Sequence, residues 1–250
     1  MDLNSLIGSL PPLPEADFAE FGEVEVRKLT RVQRMTGQFL ARNWIAIPHV
    51  SHHDEIDVTG AELRRAEWNK ANQGTKITPV ALLVKALAMA LDEYPQFNAS
   101  LAGDGQSIVF KKYFNIGVAV DTPGGLLVPV LREVDKLGLS EIAEAVAAMA
   151  EKARTKGLSI AEMSGSSISL TSLGHLGGTA FTPIINAPDV AILGATAMVE
   201  RPVRGAEDTI VWKKMLPLSL SYDHRVINGA DAARFVNAIG RTFASDVLFA

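Results

Sequence analysis

Residues 78–95, TPVALLVKALAMALDEYP, constrain the fold more than any other stretch of this chain. Thr78 suits a helix N-cap, Pro79 suits the first helical position, and Pro95 forbids continuation. Between them the predicted helix is apolar nearly all round. A helix without a polar face has no side to turn to water, so other elements must enclose it. The chain, 250 residues long and 48% hydrophobic, is globular and large enough to supply that enclosure.

The elements around this helix are mixed in kind. The spacing predicts a helix over 27–45, ended by Pro48. A strand is predicted over 49–58, where period-two alternation puts Val50, His52, Asp54, Ile56 and Val58 on one side. A helix over 59–73 follows. Strands are expected at Phe97–Leu101, Gln106–Lys111, Phe114–Val120 and Leu126–Leu131, with Gly103-Asp104-Gly105 as a hairpin turn. Pro123-Gly124-Gly125 breaks the last pair. Ser140–Lys156 reads as an amphipathic helix with Gly157 just past its end, and Ser159-Ile160-Ala161-Glu162 as the capping box of a short one. Further strands are expected at Ser167–Ser172, Val190–Ala195 and Ile210–Tyr222, and a last helix over Asn228–Phe243. There is no repeat and no regular strand–helix–strand rhythm. The fold class is therefore α/β, a mixed β-sheet layered with helices. Residues 1–20, which include SLPPLPEADFAE, read as an N-terminal arm, the end of an interdomain linker. Its leucines and phenylalanine are expected to dock on this subunit or on a neighbour. Residues 21–250 read as one domain.

Composition narrows the partners. A net charge of −4 and a pI near 5.8 give no footprint for nucleic acid. The chain has no cysteine, which rules out disulfides, thiolate metal sites and a cysteine nucleophile. No apolar run approaches the ~20 residues of a membrane span, and MDLNSLIGSL lacks the basic start of a signal peptide. A cytoplasmic protein without membrane or nucleic-acid partners is expected.

Two residues stand where chemistry is usually presented. LPLSLSYDHRVING, residues 216–229, runs a strand pattern into His224 just before a chain reversal. Strand ends on a rigid scaffold commonly carry function. An imidazole, with an ordinary pKa of ~6.5, accepts a proton at neutral pH and can act as a general base; the alternative is a structural histidine. Ser172 ends a strand at a Gly-rich turn. It lacks the G-x-S-x-G elbow of a nucleophile, which argues against a serine hydrolase. Its hydroxyl suits donation to a developing oxyanion; the alternative is a turn-capping hydroxyl.

Other features are weaker. His49, His52 and His53 cluster with Asp54, Glu55 and Asp57, but without H-E-x-x-H spacing, and adjacent histidines on a strand face opposite ways. No metal is expected there, and one of these histidines is expected to line a pocket. Arg27, Arg31 and Arg34 fall on one predicted helical face, as a phosphate grip or a solvated basic face. NIGVAVDTPGGLLVPVLR is strand–turn–strand, and Gly117, Gly124 and Gly125 suggest close approach of backbone or ligand. It carries neither G-x-G-x-x-G nor a P-loop.

Four segments, taken together, resemble one family: IPHVSHHDEIDVT, IGVAVDTPGGLLVPVLR, SLTSLGHLGGTAFTPIINAPDVAILG and LSLSYDHRVINGADAARF. That family is the catalytic domain of the dihydrolipoamide acyltransferases, core components of 2-oxo acid dehydrogenase complexes, and the likeness is strongest to the bacterial pyruvate-dehydrogenase acetyltransferases. It covers roughly residues 25–245. It implies the chloramphenicol-acetyltransferase fold, homotrimers as building blocks, and a hollow core, cubic in many bacterial members. It implies a channel between two subunits, entered by coenzyme A from one end and by the lipoyl-lysine arm from the other. Both are substrates, and the reaction is acetyl transfer between their thiols. The implied partners are the pyruvate decarboxylase and dihydrolipoamide dehydrogenase components.

The family's His-x-x-x-Asp-Gly motif maps onto His224 and Asn228-Gly229, and its oxyanion serine onto Ser172. Asn228 departs from the motif's aspartate. It carries no charge to stabilise an imidazolium, but it can cap the following helix as aspartate does, with a hydrogen-bonding part in the site. Arg27, Arg31 and Arg34 become the candidates for holding coenzyme A phosphates. No lipoyl domain is recognisable in these residues, so the chain reads as a catalytic core separated from one. The competing readings are a succinyl- or branched-chain acyltransferase, an antibiotic O-acetyltransferase, and a non-catalytic assembly scaffold.

Overall fold

The computed structural model describes residues 14–249. In chain order the elements are α1 (Arg31–Ala46), β1 (His49–Asp57), α2 (Thr59–Ala71) and α3 (Pro79–Glu93). Then come β2 (Ala99–Leu101), β3 (Ile108–Phe110), β4 (Ile116–Val118), β5 (Val120–Thr122), β6 (Gly125–Leu127) and β7 (Val130–Leu131). Helix α4 (Leu139–Thr155), β8 (Ile168–Ser172), β9 (Ala191–Ala195), β10 (Val199–Arg204), β11 (Ile210–Asp223) and α5 (Gly229–Ala244) complete the fold.

Six of these strands form one sheet in the order β1-β11-β9-β8-β4-β7, and β10 extends it along the first half of β11. Strands β4, β8 and β9 are parallel, and the remaining pairs are antiparallel, so the sheet is mixed as expected. The pairs β2–β3 and β5–β6 stand apart as small hairpins.

The apolar helix α3 is enclosed. Its Ala81, Leu82, Leu83, Val84, Leu87 and Leu91 are buried, and each such leucine is worth about 1.5–3 kcal/mol relative to exposure. Thr78 caps it, its Oγ1 accepting from the Ala81 N–H at 3.2 Å. Helix α5 packs beside it, and Phe235 stacks on Phe97 with ring centroids 4.0 Å apart. Residues Leu216, Leu218, Leu220 and Tyr222 of β11 point into this core. The intervening Ser219 and Ser221 face the other side, which is polar: Ser221 pairs with Ser51, and Ser219 with His53. A loop over 173–189 covers that second face. Phe181 lies so close to Gly194 that any β-carbon there would come within 2.5 Å of the ring.

Several boundaries differ from expectation, each for an identifiable reason. The first helix begins at Arg31, not residue 27, because Thr30 and Gln33 form a reciprocal capping box that fixes its start. Phe97 reads as strand but sits in a 3-10 turn, Pro95–Phe97, drawn inward by Phe235. Pro129, which has no N–H to donate, separates β6 from β7. The Ser159–Glu162 box is present, but it caps only the 3-10 turn Ala161–Met163.

The expected N-terminal arm falls partly on residues 1–13, outside the described residues. Over 14–30 the chain is exposed throughout. Phe18, Phe21, Val24, Val26 and Leu29 all face out, so this stretch does not dock on its own subunit.

Candidate active site

Strand β11 ends at Asp223, and a set of hydrogen bonds fixes the chain reversal after it. The buried Asp223 carboxylate accepts from the Arg225 N–H and guanidinium at 2.7–3.2 Å. That pairing lifts the Arg225 guanidinium further above its ordinary range and keeps Arg225 folded back. The Asp223 N–H donates to Val190 O at 2.8 Å, and the His224 N–H donates to Pro48 O at 3.1 Å. Val226 and Ile227 both donate to Asp223 O, closing the reversal. The His224 side chain is thereby left exposed beside Tyr222, ring centroids 5.8 Å apart, on a tightly held backbone.

Ser172 is the last residue of β8, half-buried, its Oγ accepting from the Gly174 N–H at 3.4 Å. Its place in the sheet is decisive. Ser172 is in register with Ala195, and Ala195 with Leu218. Leu218 lies six residues before His224 on β11. At about 3.3 Å per residue, that puts Ser172 and His224 roughly 20 Å apart, at opposite ends of one sheet. Folding brings both expected residues to strand ends, but not to each other.

Asn228 is the N-cap of α5. Its Oδ1 accepts from the Asp231 N–H at 2.9 Å, and its Nδ2 donates to Asp231 Oδ2 at 2.7 Å. The second bond is one an aspartate could not make. Asn228→Asp would keep the cap but set two carboxylates against each other. The expected result is a loss of about 0.5 kcal/mol in stability by denaturant titration. Turnover should stay unchanged, and a higher kcat would show that a charge is wanted four residues after His224.

The three histidines near residue 50 have separate tasks. His49 Nδ1 donates to Ile47 O at 2.8 Å, and its Nε2 accepts from the Ile185 N–H at 3.0 Å, which clips the covering loop to β1. His53 Nδ1 meets the Ser219 hydroxyl. His52 Nε2 is buried with no partner among the described residues. The arginine set also separates. Arg27 lies in the extended segment before α1 and pairs with Glu25, while Arg34 donates to Leu29 O at 2.7 Å. Arg31 and Arg34 lie on α1 and Arg27 does not, so the three do not share the one helical face expected of them.

Sequence reasoning missed a buried polar cluster beside the His224 turn. Asp189, whose side chain is fully buried, accepts from both Ser166 and Ser169 hydroxyls at 2.8–2.9 Å. Lys111 Nζ approaches it at 3.7 Å with a side chain 6% exposed. Burial pushes the Asp189 carboxyl up and the Lys111 ammonium down, and each partner opposes the other's shift. A cleft of about 290 Å³ opens next to them, lined in part by Arg42, Ala187, Asp189, Val190, Asp223 and Arg225. An acid after an Ala-Pro pair is the only local signal of this cluster in the sequence.

The model of the 2-oxoacid dehydrogenase acyltransferase catalytic domain matches residues 21–246. The chain belongs to that acyltransferase family. The dihydrolipoyllysine-residue acetyltransferase component of the pyruvate dehydrogenase complex from Cupriavidus necator is 49% identical over 237 residues, 94% of this chain. That alignment takes in 42% of the relative, so the present chain spans less than half the length of that protein.

Among solved structures, one comes from an investigation of a serine, a histidine and an asparagine in the catalytic mechanism of the Azotobacter vinelandii dihydrolipoamide acetyltransferase. It superposes with a TM-score of 0.91 at 48% identity, covering 95% of this chain and 98% of that one. The cubic core of a pyruvate dehydrogenase multienzyme complex matches equally well, also with a TM-score of 0.91 at 48% identity, 95% of this chain and 98% of that one. Chloramphenicol acetyltransferase shares the fold, with a TM-score of 0.56 at 15% identity over 79% of this chain and 89% of that one. No helix among the described residues is long and apolar enough to cross a membrane.

Proposed function

We propose that this chain is the catalytic core of a dihydrolipoamide acetyltransferase, with His224 as the general base and Ser172 as the oxyanion donor. One observation carries the reading. The serine, histidine and asparagine studied in the Azotobacter enzyme are spaced as Ser172, His224 and Asn228 are here: 52 residues, then four. An asparagine in third place is therefore shared with an enzyme whose catalytic mechanism was the subject, which supports a catalytic core over a bare scaffold.

A base and an oxyanion donor must meet at one carbonyl. At roughly 20 Å apart within one chain, His224 and Ser172 can do so only where the histidine end of one copy faces the serine end of another. A cyclic trimer supplies that juxtaposition three times through one repeated interface. The exposed apolar residues of the segment before α1 and of α1 itself, among them Phe21, Val26, Phe39 and Trp44, are the surface such neighbours would cover. The cubic relative supports trimers assembled into a cubic core. Pyruvate decarboxylase and dihydrolipoamide dehydrogenase components would gather on it, in the cytoplasm.

In the reaction, the His224 imidazole takes the proton of the attacking thiol. The thiolate adds to the thioester carbonyl, whose oxygen becomes an oxyanion and accepts a hydrogen bond from the Ser172 hydroxyl. Collapse expels the second sulfur as a thiolate, and the imidazolium returns the proton to it. Coenzyme A and dihydrolipoamide are the two thiols, held side by side so that no covalent enzyme intermediate is required.

The deciding assay supplies acetyl-CoA with dihydrolipoamide or with chloramphenicol. Transfer to dihydrolipoamide, faster with acetyl-CoA than with succinyl-CoA or isobutyryl-CoA, is expected. Preferential acetylation of chloramphenicol would replace the proposal with antibiotic modification, and a preference for another acyl group would reassign the complex.

A further inference from the structure

We propose that the buried Asp189–Lys111 pair positions His224, by fixing the carbonyl on which the end of β11 hangs. The inference rests on the reading of His224 as the base. Four links make the chain. Lys111 Nζ donates to Ser166 O at 2.8 Å and faces Asp189, tying the end of the β2–β3 hairpin to the segment entering β8. Asp189 is fastened by the hydroxyls of Ser166, just before β8, and Ser169, near its start. The next residue, Val190, receives the Asp223 N–H through its carbonyl. His224 follows, its own N–H held by Pro48 O.

Packing alone does not explain the pair. Two buried charges are costly to desolvate, and a neutral pair of similar shape often leaves a fold equally stable or more so. Charge-assisted hydrogen bonds to Asp189 do provide a narrow geometry for the 186–190 loop. Ser100 adds to this from the same side, its hydroxyl donating to Pro188 O at 2.6 Å. The His224 ring itself has no hydrogen-bond partner among the described residues, so its aim depends on where its backbone is held.

The test is a double-mutant cycle on the assembled 250-residue chain, with acetyl-CoA and dihydrolipoamide as probes. The variant Lys111→Met/Asp189→Asn removes both charges without leaving either unpaired. In the parent it should lower kcat about tenfold or more, since small misplacement of a reacting group is expensive. KM for both substrates should hold, and the pH–rate profile should drop without moving its midpoint, because aim is lost and basicity is not.

In a His224→Ala background the same two substitutions should change the residual rate by less than about twofold. Equal losses in both backgrounds would reduce the pair to a general structural role, and an unchanged kcat in the parent would overturn the inference outright. Near-normal turnover of His224→Ala by itself would instead sink the reading of the base. Should the paired variant fail to assemble, Ser169→Ala, which keeps both charges, carries the same cycle. A several-fold loss of kcat in the parent background alone supports positioning, and no loss refutes it.

Discussion

Replacing His224 with alanine is expected to slow acetyl transfer by about 10²–10⁴-fold, the range spanned by general-base catalysis. The fold should not notice. The side chain is exposed, and its backbone N–H bond to Pro48 O survives in alanine. Melting temperature and sedimentation should match the parent. The residual activity has its own signature. A thiol of pKa about 8.5 is only ~3% thiolate at pH 7, and without a base the rate depends on that fraction. The variant's rate should therefore climb close to tenfold per pH unit between about pH 6 and 8, where the parent is much flatter because its own base supplies the thiolate. A variant that keeps near-parent turnover, or whose rate does not follow thiolate ionisation, would remove His224 from the role of base.

How much of the fold and site is legible in the sequence depends on how far along the chain each determinant reaches. Helix α3 is legible because its cap, its leading proline and its stop are all within eighteen consecutive residues. Strand β11 and the Asn228 cap are legible for the same reason: alternation, reversal and helix start succeed one another along the chain. The expected helix start at residue 27 misled because a four-residue device, Thr30 to Gln33, outweighs the periodicity that would carry the helix back that far. Phe97 misled because its environment is made by Phe235, far along the chain. The Asp189 cluster draws on Lys111, Ser166 and Ser169, three positions on two other segments, and no local pattern connects them. Likewise, both expected catalytic residues are visible as strand ends. That they occupy opposite ends of the sheet depends on strand order and register, which residue patterns alone leave open.

That separation makes the second large effect sharper than a single substitution would. Ser172→Ala should lower kcat by about 10²–10³, the usual loss when one oxyanion donor is removed, with KM little changed. A pure rise in KM would mean that the hydroxyl serves binding in general. The decisive experiment co-expresses the Ser172→Ala chain with the His224→Ala chain, each almost inactive alone. In a cyclic trimer every interface joins the histidine end of one copy to the serine end of the next. A mixed interface regains an intact pair whenever the Ser172→Ala chain gives its histidine and the His224→Ala chain gives its serine. Random assembly at equal input should restore about one site in four, a gain of roughly tens- to hundreds-fold over the Ser172→Ala chain and up to thousands-fold over the His224→Ala chain. If a single chain carried a complete site, no mixture would exceed the average of the two residual rates. Activity confined to that average would show that His224 and Ser172 do not act together across a subunit boundary, and it would do so even if each substitution, taken singly, had behaved as expected.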